Sequence, residues 1–266
     1  KSAEAVPILT QLLSLKEDSA SRMALAQAQS KAGDAKAALA TLKPLLDSGA
    51  SDSSALLLAA QLEEANDNTP QSVAWLRRSI EVDPRNVDAR YRMAVMLNQK
   101  LEKQGKSPDP ALKKEVTDAF AKTADLAESR GAKDNAEVLV VCYTRLGELY
   151  RDSDQAEKAV DVLTKAVNLA PNDFNSRFIL GQMQYRLKNY AAMIEQYQKA
   201  VEIDPQQKLA RFNLGVAFIN QEQYFEAYEQ FKAITEIDPG DSEALALMGQ
   251  TIERAAKANS RIMIVG

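Results

Sequence analysis

The chain has 266 residues, of which 45% are apolar and 26% charged, with 33 basic against 37 acidic side chains, the proportions of an ordinary folded protein. No region concentrates positive charge: residues 1–86 carry 9 basic and 11 acidic side chains, 87–139 carry 10 and 9, and 140–266 carry 14 and 17. A phosphate-neutralising surface is therefore excluded, and nucleic acid is not expected as a partner.

A ruler of 34 residues divides the sequence, because Pro171, Pro205 and Pro239 stand at that spacing and so do Gly147, Gly181, Gly215 and Gly249. Self-similarity at this period points to stacked helix pairs. In chain order, residues 1–18 read as a lone second helix of such a pair, with Ala5, Ile8, Leu9, Leu12 and Leu13 on its apolar face. The start at Lys1, without Met, is what a cut or processed chain would show. Residues 19–52 form a first complete unit (Leu25, Ala26, Gly33, Ala38, Leu42) and 53–86 a second (Ala59, Ala60, Leu76, Pro84). Both carry Ala where the later units carry Gly.

The unit at 87–139 is enlarged, being 53 residues long. Its first helix begins normally but its pattern runs on through Leu101, and a loop follows at Gly105–Pro110. A second helix is expected from Ala111 to Ser129, and the stretch from Ser129 to Asn135 is expected to open a long helix into the next unit. Lys100, Lys103, Lys106, Lys113 and Lys114 make a Lys-rich corner, either a tolerated surface insertion or a contact site.

Units 140–173, 174–207 and 208–241 keep the ruler. In the first of them, a helix from about Val140 to Ser153 and another from Ala156 to Leu169 precede Pro171, which cannot sit inside a helix. The Gly of each first helix lets two helices approach closely. Ala159 and Ala227 act similarly on the second helices, where Met193 breaks the small-residue rule and predicts looser packing. Residues 242–258 read as a lone first helix acting as a cap. Residues 259–266 read as an apolar tail that folds back, continues into a further repeat, or enters another molecule's groove.

This combination of Leu-Gly, an aromatic, Ala, a bulky filler, Ala and a closing Pro resembles the tetratricopeptide repeat (TPR). The resemblance is good over 174–207 and 208–241, carries through 140–173, is weaker over 19–52 and 53–86, where Ala replaces Gly, and is broken by the enlarged unit. It implies an all-α fold, a right-handed superhelical solenoid of antiparallel helix pairs. It further implies a protein-interaction scaffold whose first helices line a concave groove for a peptide or an amphipathic helix.

No catalytic constellation accompanies this pattern. There is no histidine, and the single cysteine, Cys142, falls at a packing position. That excludes a histidine-dependent triad and an intramolecular disulfide, and leaves a poor ligand set for zinc. No phosphate-binding Gly-rich motif is present, and no apolar run of about 18 residues that would span a membrane. Neither enzymatic activity nor a metal or cofactor is expected.

The resemblance places the groove at roughly the second, fifth, ninth and twelfth residues of each unit. These give Asp88, Tyr91, Val95 and Asn98; Val141, Thr144, Glu148 and Arg151; Asn175, Phe178, Gln182 and Tyr185; and Leu209, Phe212, Val216 and Ile219. Arg92, Arg145 and Asn213 lie one place beyond the fifth. The family's Lys/Asn clamp for chaperone C-termini is missing, since Thr144 and Glu148, Phe178 and Gln182, and Phe212 and Val216 occupy its places. The Asn ladder of the family's sugar-transferase superhelix is missing too, with Asn213 alone in register. What remains is an aromatic and aliphatic stripe with a polar border, suited to an apolar peptide or helix. Alternatively, Phe178 and Phe212 pack between neighbouring units. Two further readings stay open: the repeats serve as the docking segment of a longer enzyme, or copies associate through terminal half-repeats or the tail.

Overall fold

Five turns in this protein share one backbone, and they set the pairing of its helices. In the computed structural model, which describes residues 2–48, 52–105 and 107–265, fourteen helices and no strand are present among the described residues. Residues 1–129 form one compact unit and 130–266 another. The first contains α1 (Ser2–Leu15), α2 (Ser19–Lys31), α3 (Ala35–Asp47), α4 (Ser53–Ala65), α5 (Thr69–Val82), α6 (Val87–Glu102) and α7 (Pro110–Ser129). The second contains α8 (Ala136–Arg151), α9 (Ala156–Leu169), α10 (Phe174–Arg186), α11 (Tyr190–Ile203), α12 (Lys208–Asn220), α13 (Tyr224–Ile237) and α14 (Ser242–Val265). Within each unit consecutive helices pack on one another, so each is a stack of helix pairs.

The shared turn stands at the fifteenth residue of its repeat, where the backbone is left-handed at Gly33 (φ 86°), Asp67 (59°), Asp154 (56°), Lys188 (59°) and Glu222 (58°). The next amide then reaches back to a carbonyl of the preceding helix: Asp34 to Gln29 at 3.0 Å, Asn68 to Glu63 at 2.8 Å, Gln155 to Tyr150 at 2.9 Å, Asn189 to Gln184 at 2.8 Å and Gln223 to Phe218 at 2.9 Å. This closure satisfies carbonyls that a helix end leaves open and reverses the chain within three residues. Entry into the first helices is fixed by caps: the side chains of Asp18, Asp52, Asn86, Asp173 and Asp241 accept amide protons from the first turn that follows. Gln207, before α12, makes no such bond.

Arginine ties successive pairs together. Arg90, Arg177 and Arg211 each donate from Nε to the carbonyl of the proline closing the preceding repeat, Pro84, Pro171 and Pro205, at 2.6–2.7 Å.

The core is a row of repeated contacts between a small residue on the first helix and a bulky one on the second. Ala26 and Leu42, Ala60 and Leu76, Gly147 and Leu163, Gly181 and Tyr197, and Gly215 and Phe231 occupy these places, and the five bulky residues are at most 1% exposed. A methyl carbon added at Gly147 would lie 2.5 Å from Leu163 Cγ, at Gly181 2.9 Å from Tyr197 Cε1, and at Gly215 2.6 Å from Phe231 Cζ. Met193, where a small residue is the rule, is nonetheless buried together with Tyr197.

The enlarged repeat lengthens both helices, to 16 residues in α6 and 20 in α7, and its turn uses Gly105 at φ 71°. Lys106, expected in the Lys-rich corner, lies outside the described residues. The stretch after Ser129 does not open a helix as expected. It is a turn in which Gly131 adopts φ 114° and the Asn135 side chain donates to the Gly131 carbonyl, so α8 starts at Ala136. At the other end α14 runs unbroken to Val265, and the side chains of 259–266, the expected apolar tail, lie outside the described residues.

Two stability measurements follow from these contacts. Gly215→Ala should lower the melting temperature by roughly 2–4 °C, because about 1–3 kcal/mol of overpacking outweighs about 1 kcal/mol of helix propensity. Gly249→Ala, where an added methyl meets nothing within 4 Å, should leave it unchanged or raise it. At the turn, Glu222→Gly removes left-handed strain and Gln207→Asp supplies the missing cap. Each is expected to stabilise by about 1 kcal/mol in urea unfolding.

Candidate functional site

Burying one stripe of every first helix leaves another stripe for a partner. On α8 the core takes Cys142, Leu146, Gly147 and Leu149; on α10 it takes Ile179, Leu180, Gly181 and Met183; on α12 it takes Ala210, Leu214, Gly215 and Ala217. The remaining places hold the residues the spacing singles out. Thr144, Arg145, Glu148, Phe178, Gln182, Phe212, Asn213 and Val216 are half-buried, while Asn175 and Tyr185 are exposed.

Five of these residues meet in one cleft. Gln182 and Tyr185 from α10 face Phe212, Asn213 and Val216 from α12 across a volume of about 570 Å³, with Arg151, Met183, Arg186, Met193 and Tyr197 completing the wall. Met193 brings the second helix α11 into this wall. Its long side chain stands where Ala159 and Ala227 stand in the neighbouring repeats. The Tyr197 phenol is hydrogen-bonded with the Asn213 side chain, and burial pushes its pKa well above the usual phenol range. The Gln182 side-chain oxygen is buried with no hydrogen-bond partner, which costs about 1–3 kcal/mol while no donor meets it. At the rim, Arg186 donates to Asp154 at 2.9 Å and to the Arg151 carbonyl at 3.2 Å.

The other expected residues go elsewhere. Phe178 stacks on Phe174 at 5.7 Å and leans on Tyr197 at 5.7 Å, so its ring is engaged within its own repeat and is not part of the cleft wall. Phe212 meets Phe231 of its own repeat edge-on at 5.9 Å and also lines the cleft. On α8, Glu148 accepts from Arg145 at 2.5 Å and from Asn175 at 3.1 Å, and Thr144 bonds Ser176 at 2.6 Å. That polar patch is closed on itself. Tyr91, Arg92 and Val95 belong to α6 in the other compact unit, where all three are half-buried and Arg92 pairs with Glu64 at 3.4 Å.

A second cleft, in residues 1–129, was not among the expected sites. Its volume is about 430 Å³, and Met23, Gln27, Ser30 and Lys31 of α2 face Ser54, Leu57, Leu58 and Gln61 of α4. The places match those of the first cleft. Gln27 and Lys31 stand in their repeat where Gln182 and Arg186 stand in theirs, and Leu57, Leu58 and Gln61 stand where Phe212, Asn213 and Val216 do. The spacing rule finds it once it is applied to the two Ala-bearing repeats.

Chemistry is confined by burial. Cys142 lies in the core, and burial alone pushes its thiol up to about 12, so it carries no nucleophilic thiolate near neutrality. No group of three or more acidic, Cys or His side chains able to hold a metal ion occurs among the described residues. No helix among them is long and apolar enough to cross a membrane.

The fold has close counterparts. YrrB, described as a TPR protein with an unusual peptide-binding site, is 21% identical over 77% of this chain and 96% of its own, with a TM-score of 0.59. The C-terminal part of a TPR repeat-containing protein from Cytophaga hutchinsonii is 13% identical over 93% of this chain and 94% of its own, with a TM-score of 0.65. MamA from Desulfovibrio magneticus RS-1 is 18% identical over 71% and 97%, with a TM-score of 0.53. No curated protein sequence matches the chain. Two family models, both described as tetratricopeptide repeat, match residues 23–87 and 144–208 in one case and 184–251 in the other. With its all-α stacks of helix pairs and these matches over most of its length, the chain belongs to the tetratricopeptide repeat family.

Proposed function

We propose that the chain is a non-catalytic adaptor, a protein-interaction scaffold that receives a peptide or the apolar face of a helix on its first helices. The cleft between α10 and α12 is the principal seat. One observation carries this reading: clefts of the same construction recur at equivalent places, each with a Gln, a cation and apolar residues at fixed positions in the repeat. Packing accounts for part of that recurrence, since Leu58, Met183, Met193 and Tyr197 are also core residues, but it does not require the recurring Gln and cation. The mixture also suits recognition. Tyr185 and Phe212 offer large apolar surface at low entropic cost, and Gln182, Asn213 and the arginines fix the direction of a bound main chain. YrrB shares the fold and has a peptide-binding site, which is in keeping with this use. The non-catalytic reading is supported by the buried Cys142, whose thiol burial keeps protonated.

Selection of a random dodecapeptide library displayed on phage against the chain would supply a ligand. Tyr185→Ala with Val216→Ala should then weaken the selected peptide by about tenfold or more, since truncating a hot-spot pair costs above about 1 kcal/mol. Phe178→Ala should instead lower thermal stability. Undiminished binding to the Tyr185/Val216 variant would remove this cleft as the seat. The thiol of Cys142 should react with Ellman's reagent at pH 8 only as fast as the protein unfolds. Rapid stoichiometric labelling of native protein would show that the residue is open to chemistry after all.

A further inference from the structure

Arginine stands at the fourth place of four repeats, as Arg22, Arg90, Arg177 and Arg211. In two of them the guanidinium also reaches the second helix of its own pair: Arg177 donates from Nη1 to Gln196 at 3.0 Å and Arg211 to Gln230 at 3.3 Å. Each glutamine stands one residue before the bulky filler, Tyr197 or Phe231. Arg22 donates likewise to the carbonyl of Thr41, the residue before Leu42, at 3.5 Å. Arg90 breaks the pattern. Its Nε still donates to the Pro84 carbonyl, but in the enlarged repeat Ala119 precedes the buried Phe120, and a methyl group accepts nothing. Among the described residues no acceptor meets the Nη atoms of Arg90.

Arg90 and Ala119 both line a cleft of about 420 Å³ formed by α5, α6 and α7. Its apolar lining includes Ile80, Met93 and Leu97, all half-buried. The counterparts of Ile80 and Met93 between the next repeats, Val167 and Leu180, are buried, so the cleft uncovers surface that the array elsewhere closes. Around it Arg90, Lys114 and Lys122 stand with Glu115 and Asp118, a balance of one positive charge. No ion pair joins any of these five among the described residues. Lys114 belongs to the Lys-rich corner of the enlarged repeat.

We propose that this cleft is a docking site for a segment of a partner protein that carries a glutamate or aspartate beside a large aliphatic residue. The partner's carboxylate takes on Arg90 the place that Gln196 and Gln230 take on Arg177 and Arg211, with the added strength of a charge-assisted bond. Lys114 and Lys122 favour the same charge. The aliphatic side chain covers Ile80, Met93 and Leu97, a contact that a small free carboxylate does not complete. The site uses the fourth, seventh and eleventh places of its first helix, none of which belongs to the cleft between α10 and α12. The inference therefore does not depend on that cleft.

The dodecapeptide library is selected on the chain carrying Tyr185→Ala with Val216→Ala, so that the α10/α12 cleft does not answer for this one. Among the peptides returned, a class with Glu or Asp within one helical turn of Leu, Ile or Met is expected. Adding Ala119→Gln, which restores to Arg90 the partner its counterparts have, should weaken that class by about tenfold or more. The same substitution should hold or raise the melting temperature, which separates loss of binding from loss of fold. Changing the peptide's carboxylate to an amide, or Lys114→Glu with Lys122→Glu in the chain, should also weaken it. The proposal is overturned if every selected peptide binds the Ala119→Gln chain undiminished, or if the sensitive peptides lack a carboxylate. Displacement of the peptide by hexanoate at the peptide's own concentration would assign the cleft to small carboxylates and overturn it too.

Discussion

The structure depends on one steric relation, between a nearly absent side chain on the first helix and a large one on the second. Helices with full-sized side chains at their contact stay 8–10 Å apart. Here Gly or Ala opposite Leu, Tyr or Phe admits the filler into the partner helix's surface, and each filler ends at most 1% exposed. The pairs are graded in size. Ala26 and Ala60 face Leu, whereas Gly181 and Gly215 face Tyr and Phe. In four of the five pairs the smaller partner meets the larger filler and the larger partner the smaller, as close packing favours, and Gly147 with Leu163 is the exception. Each repeat rests only on its neighbours, so the relation must recur in each.

This explains why the fold was legible in the sequence. A steric requirement that recurs leaves recurring letters, and Gly147, Gly181, Gly215 and the prolines 34 residues apart are those letters. The turns were less legible. Left-handed φ values fall on Asp67, Asp154, Lys188 and Glu222, and only Gly33 announces such a conformation by its identity. The pair of back-reaching hydrogen bonds at each turn holds these residues there against roughly 1 kcal/mol or more of strain, and that closure is visible only in three dimensions. The stretch after Ser129 misled for a related reason: its composition permits helix, but Gly131 and the Asn135 side chain divert the backbone.

Of the candidate site, sequence spacing located the face but not the cleft. Places two, five, nine and twelve are those the core leaves free, which is a matter of helical period. Which of them gather around one volume depends on side-chain direction. Phe178 turns into the contact with Phe174 and Tyr197, and Met193 and Tyr197 enter the wall from the second helix, where a rule confined to first helices cannot reach. Arg186 lies one place beyond the rule. The cleft of α2 and α4 was overlooked because Ala, rather than Gly, marks those repeats, although the same crossing geometry serves both.

Separation of roles between the two faces of the first helix has a consequence for specificity. The core face is constrained by volume, and a change there is felt by the neighbouring repeat. The other face is constrained less, although Phe212 meets Phe231 and Leu58 belongs to the core, so its exposed residues can diverge while the cleft persists. The two clefts show this: Tyr185 and Phe212 line one, and the same places in the other hold Ser30 and Leu57. A shared Gln and cation would read what all peptides have in common, a main chain and polar groups along it. The variable apolar residues would then read what distinguishes one peptide from the next. Because most of the buried core lies on the opposite face, changes confined to the exposed residues of either cleft leave the packing of the stack in place.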